Sequence, residues 1–198
     1  MERPSSPPSV VFPAPNRRRR SVRSLALWTV VIIAAGVASL LVLARVRQLA
    51  NRARCADNLR SLGQAILLYC NENHGAYPPT WGTLAMQVDI TSEIFVCGNR
   101  SLTAPPHLTP AQLGDWITAN SDYLYLAADL PIGWSPQVSP QVVLAYERPE
   151  NHDGINVLFQ DGHVAFFDRA EADKVVAQLS RHVNPPQFES EGKHVGFK

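Results

Sequence analysis

From Ser24 to Ala44 the chain runs without a charge, closed by Arg23 on one side and Arg45 on the other. A helix of that length rises about 30 Å, the thickness of bilayer hydrocarbon. The only polar groups inside it, Ser24, Thr29, Ser39 and the Trp28 indole, are ones that lipid-facing helices tolerate. The pattern predicts a transmembrane helix over 24–44. A buried core helix seldom runs so far without a strongly polar residue. A cleaved secretory signal would have a shorter apolar stretch, with small residues such as Ala34-Ala35-Gly36 after it and not inside it. Beyond Ala44 the pattern becomes periodic. Val46, Leu49, Ala53, Ala56, Leu59, Leu62, Ile66 and Tyr69 step by three and four, which predicts an amphipathic extension over 45–75 with Arg45, Arg52, Arg54 and Arg60 off the stripe. Gly75 is placed to stop the helix, and Pro78-Pro79 forbids its resumption. The combined helix, Ser24 to Asn73, would measure on the order of 75 Å.

The next forty residues or so, a connecting region, carry weaker signals. Thr80-Trp81 to Met86 predicts one or two helical turns, and Ile94 to Val96 a short strand ending at Cys97. Thr109-Pro110, a capping residue followed by proline, opens a short helix through Trp116 and Ile117. Tyr123 to Ala127 and Val142 to Glu147 read as strands. Ile155 to Phe159 pairs with His163 to Asp168 across Gln160-Asp161-Gly162, with both residues of the Asp-Gly turn expected at positive φ. Arg169 to His182, with Ala172, Val175, Val176 and Leu179 on one face, reads as a terminal helix. The fold class is therefore α+β: a long N-terminal helix packed on a small antiparallel sheet, with a short C-terminal helix.

Composition adds boundaries. The first sixteen residues are rich in proline and serine and cannot bury a core, so 1–23 reads as a disordered basic tail. About 150 residues follow the anchor, enough for one domain; the division predicted is an anchor over 24–44, an extension over 45–75, a globular domain over 76–184 and a flexible tail over 185–198. The formal net charge is +1, and away from the arginines flanking the apolar run there is no basic patch interleaved with aromatics, so nucleic acid is not an expected partner. Arg17 to Arg20 and Arg23 lie in a very short tail. The reading places that tail inside and the domain outside the cytoplasmic membrane, although Arg45, Arg47, Arg52 and Arg54 nearly balance it.

Candidate chemistry sits late in the chain. Glu147, His152, Asp153, Asp161, His163 and Asp168 could converge at one end of the sheet. His152, Asp161 and His163 are the metal candidates: two histidines and a carboxylate suit zinc with an open position, and carboxylates with backbone carbonyls suit calcium. The competing reading gives Asp161-Gly162 to the turn and the histidines to backbone contacts, and it is the one adopted, with no cofactor and no catalytic residue. No nucleophile elbow, phosphate-cradling glycine loop or HExxH motif is present. Cys55, Cys70 and Cys97 complete no zinc spacing. Cys70 and Cys97 could pair in an oxidising compartment, leaving Cys55 free.

Several motifs are similar to a known group. Cys55-Ala56-Asp57-Asn58-Leu59, Gly63, Tyr69 and Gly75-Ala76-Tyr77-Pro78-Pro79, then Tyr146-Glu147, His152, Asn156-Val157-Leu158-Phe159 and Asp161-Gly162-His163, resemble type II secretion pseudopilin-like proteins of the group expanded in planctomycetes. The resemblance covers roughly Arg54 to Ala177, and the spacing from His152 to Asp161 is one residue shorter than the group's usual pattern. It implies a pilin-like fold, a single-pass membrane protein with an extracytoplasmic domain, and the lipid bilayer, other pseudopilins or secretion components as partners. The chain departs from the group at the processing site. Ser21 to Thr29 offers neither the usual Gly-Phe entry nor the Glu five residues into the mature chain, so a charge-free segment would leave a processed amine uncompensated in lipid.

Overall fold

The computed structural model describes residues 17–130 and 139–187. Of the disordered tail expected over 1–23, residues 1–16 lie outside them and 17–23 are helical; most of the expected flexible tail lies outside them too. The chain divides after Val46 into two units, and helix α1 (Arg17–Glu72) contributes to both. It begins seven residues before the predicted start, so the arginine cluster is helical. From Leu25 to Val46 every residue of the helix is exposed. None of its most apolar 18-residue stretch is buried, and it is the one helix among the described residues long and apolar enough to cross a membrane. Thr29 and Ser39 satisfy their own hydroxyls by donating to the carbonyls of Ala26 and Ala35, each at 2.8 Å, which removes the main cost of a polar group in lipid.

The second unit begins at Arg47. Here the predicted apolar stripe is buried at Leu59, Leu62, Ile66 and Tyr69, joined in the core by Cys55 and Cys70, whereas Ala56 is half-buried and Leu49 and Ala53 stay exposed. The helix ends at Glu72. The left-handed turn starts at His74 (φ 57), one residue before the predicted Gly75, whose N–H donates to the Cys70 carbonyl at 2.8 Å. Helix α2 (Trp81–Val88) is capped by Thr80, and α3 (Pro110–Asn120) by a complete Thr109/Gln112 capping box. The strand expected over Ile94 to Val96 is instead a 3-10 turn, Ser92–Phe95. Three apolar residues carry too little period to separate the two, and here one buried anchor, Phe95, suffices.

Strands β1 (Tyr123–Tyr125), β2 (Val143–Glu147), β3 (Gly154–Phe159) and β4 (Val164–Asp168) form one antiparallel sheet in chain order. Helix α4 (Arg169–Leu179) follows directly, with Asp168 accepting from Glu171 N–H as its N-cap. The two faces of the sheet feed separate cores. Leu144, Ala145 and Leu158 pack with the α1 stripe; Val143, Tyr146, Ile155, Val157 and Phe159 pack with Ala172, Val175 and Leu179 of α4. Covered on both faces, β3 is buried at every position, which explains its unalternating Ile-Asn-Val-Leu-Phe sequence.

The pairing of β2 with β3 shifts between Val143 and Ala145. This bulge breaks the two-residue period, so Val143 faces α4 while Glu147, four residues on, reaches the α1 side with Leu144 and Ala145. The β3–β4 hairpin also departs from expectation. Gly162 has φ 88 but Asp161 does not have positive φ, and Gly162 N–H donates to the Phe159 carbonyl at 2.9 Å. The connection is a three-residue type I turn closed by a left-handed glycine, not a two-residue turn with both residues inverted.

Candidate metal centre

Four side chains from four separate segments meet between α1 and the sheet. Cys55 stands on α1, Cys97 follows the 3-10 turn, Glu147 ends β2, and His152 lies in the β2–β3 connection. One ligand atom from each lies within 4.8 Å of all the others. His152 Nε2 is the hub: it is 3.0 Å from Glu147 Oε1, 3.3 Å from Cys97 Sγ and 3.4 Å from Cys55 Sγ. Cys97 Sγ also lies 3.2 Å from Glu147 Oε1. The site is sealed, with Cys55 and Glu147 at 0% exposure and the His152 side chain at 5%.

Each member is held by neighbours. Cys97 N–H donates to Asp122 Oδ2 at 2.8 Å, and Arg100 holds the other oxygen of that buried carboxylate at 2.5 Å. The second oxygen of Glu147 accepts from Asn156 Nδ2 at 2.8 Å, and the same amide donates to the Arg52 carbonyl, tying β3 to α1. The Asn99 amide nitrogen lies 3.0 Å from His152 Nδ1 and donates to the Asn151 carbonyl. Asn58 donates to Tyr123 Oη and the Val96 carbonyl. Gly154 sets the path after His152: at φ 129, a Cβ there would lie 2.3 Å from the Phe167 carbonyl oxygen.

The electrostatics are those of a shared charge. Burial opposes ionisation of Glu147, but hydrogen bonds and charge from His152 outweigh it and hold the carboxyl below its usual range. Burial likewise opposes the imidazolium, yet Cys55 and Glu147 raise His152 to about 9. The hydrogen bond from Cys97, with help from His152 and the Gly98 N–H, overcomes burial and lowers Cys55 to about 6. Cys97, bonded to that thiolate and buried, is pushed up. The first proton thus leaves Cys55 readily and the second leaves Cys97 with difficulty.

The candidates read from the sequence separate into three groups. His152 and Glu147 belong to the cluster. Asp161 and His163 do not: they pair with each other at 2.5 Å at the hairpin tip, 33% and 46% exposed, and His163 stacks on Phe159. They lie at the far end of β3, roughly 17 Å from its start at about 3.3 Å per residue, so the His152/Asp161/His163 set is not brought together. Asp153 is exposed beside Arg169 and Asp168 serves as a helix cap. The Cys70–Cys97 pairing is not formed. All three cysteines are free, and Cys97 is beside Cys55, about 22 Å along the helix from Cys70 at 1.5 Å per residue. Burial raises the Cys70 thiol to about 11. The other signature residues serve packing: Leu59, Tyr69, Tyr146 and Phe159 are core, Gly63 lets Leu158 approach α1, and Pro78, ahead of Pro79, accepts from Tyr125 Oη at 2.9 Å. Asp122 and Asn99 had no sequence signal beyond polarity near strand and turn boundaries.

A cage of two sulfurs, a nitrogen and an oxygen can take a thiophilic divalent cation. Buried on all sides, it presents no face to a substrate. Comparison with known proteins yields no matching family profile, no similar curated protein and no similar solved structure.

Proposed function

We propose that the protein is a single-pass, membrane-anchored structural or interaction protein of pseudopilin-like type, with its domain outside the cytoplasmic membrane and no enzymatic activity. The observation that carries this reading is the change of character along one continuous helix. From Leu25 to Val46 its apolar side chains are unburied; from Cys55 the same helix supplies one wall of a folded core. A bare apolar surface of that length needs lipid or other apolar helices around it. The resemblance at Cys55 to Pro79 and at His152 to His163 supports the pseudopilin-like type and, with it, association with a secretion fibre. The sealed site supports a non-enzymatic role.

The test is the chain in its native membrane. It should resist extraction by alkaline carbonate, and protease added outside the cytoplasmic membrane should degrade the domain. Release into the soluble fraction would overturn the anchor, and full protection from external protease would overturn the orientation. Intact mass divides the remaining cases: a chain shortened to begin near Leu25 restores a fibre role, and a full-length chain is a fixed anchor.

A further inference from the structure

We propose that Cys55, Cys97, Glu147 and His152 bind one zinc ion in a closed structural site that clamps α1 to the sheet. Three observations carry it. The first is size. Tetrahedral zinc with bonds of about 2.0–2.3 Å has ligand-to-ligand edges of roughly 3.3–3.8 Å. Four of the six edges here run from 3.0 to 3.4 Å and the two from Cys55 to Cys97 and Glu147 lie within 4.8 Å, so side-chain shifts of a few tenths of an ångström bring the short edges to the right dimensions.

The second is chemistry. Zinc accepts sulfur, imidazole nitrogen and carboxylate oxygen, and four protein ligands with no open position define a structural site. Asn156 Nδ2, donating to Glu147 Oε2 at 2.8 Å, supplies an outer contact of the kind that ligands require.

The third is topology. The ligands come from α1, the segment after the 3-10 turn, β2 and the β2–β3 connection. The second and fourth of these lie outside the helices and strands. A metal bond to each is folding free energy for the whole unit. It would also keep two neighbouring thiols, their sulfurs within 4.8 Å, as zinc thiolates, which compete with disulfide formation. The zinc inference stands apart from the membrane reading, because metal content is measured on the extracted chain whatever its orientation.

The experiment is zinc determination by mass spectrometry on the full-length protein, extracted in detergent without chelator and with thiols reduced. One zinc per chain is expected. Cys55→Ser, Cys97→Ser and His152→Ala should each weaken binding by more than about 100-fold, beyond the effect of losing an outer partner, whereas His163→Ala should keep its zinc. Should those variants fail to fold, cobalt exchanged into the unmutated chain gives an independent reading: thiolate-to-cobalt charge transfer with strong visible bands is expected of a tetrahedral site with two sulfurs. A reduced chain that takes up neither metal, zinc retained by Cys55→Ser and Cys97→Ser, or a Cys55–Cys97 disulfide in protein alkylated directly in its membrane would each overturn the proposal.

Discussion

Strand β3 has a histidine–carboxylate pair beyond each end, and the two pairs behave differently. His152 and Glu147 meet at 3.0 Å with side chains 5% and 0% exposed; His163 and Asp161 meet at 2.5 Å with side chains 46% and 33% exposed. The shorter contact is the less consequential one. At the hairpin tip, water screens both charges and can replace either partner. Between α1 and the sheet neither partner has a replacement, and two thiols complete the shell. Proximity of a histidine to an acid is common; burial among further ligands turns the inner pair into a candidate centre.

The largest expected effect tests that contrast directly. In chelator, His152→Ala should destabilise the domain by about 3–5 kcal/mol, because it strands a buried carboxylate; His163→Ala should cost less than about 1 kcal/mol. Chemical denaturation of the two full-length variants, followed by near-ultraviolet circular dichroism, measures both, and equal losses would erase the distinction. The glycines beside the two pairs give the next effect. Gly154→Ala combines φ 129 with a 2.3 Å approach to the Phe167 carbonyl and should cost about 3 kcal/mol or more. Gly162→Ala, at φ 88 with open space around it, should cost about 1–2 kcal/mol. A reversed order would mean that the turn, and not the approach to the site, limits folding.

A smaller effect is the pH dependence of the metal-free chain. His152, raised from 6.5 to about 9, contributes stability that is complete below pH 6.5 and lost as pH rises through 9. Cys55, lowered from 9.0 to about 6, contributes stability that grows above pH 6 and is complete above 9. The slopes oppose each other, so stability should be nearly flat between pH 6.5 and 9. Cys55→Ser removes the rising contribution and part of what raises His152; Glu147 still raises it, so stability should fall with pH from 6.5 over a narrower window. A parent chain that already falls as steeply would show that the two groups do not share charge. The least effect is expected of Asp161→Asn, within about 0.5 kcal/mol of the parent on the same denaturation curve.

Much of the fold was legible in the chain. The charge-free run over 24–44, the three-four stripe ending at Tyr69, the Thr109-Pro110 helix start and the hairpin around Gly162 are local patterns, each with a local cause in period, capping or turn geometry. Where only three residues carried the signal, at Ile94 to Val96, it misled. Where the same stripe ran on through Val46, Leu49 and Ala53, periodicity foresaw an apolar face but not that it stays exposed.

The site was legible only in part. Cys55, Glu147 and His152 stood out in the sequence, but their partnership did not. Cys97 was matched with the wrong cysteine, and Asp161 and His163 drew attention because they were near His152 in the chain. A sequence determines on its own what neighbouring residues decide together: the helix, its apolar length, the strands and the turn. The tertiary structure alone decided which cysteine meets which, and that Glu147 faces α1, because one bulge in β2 reverses the alternation that would have set it beside Val143. Residues far apart in the chain meet only after register and packing are set, and a pattern of period two or 3.6 contains neither.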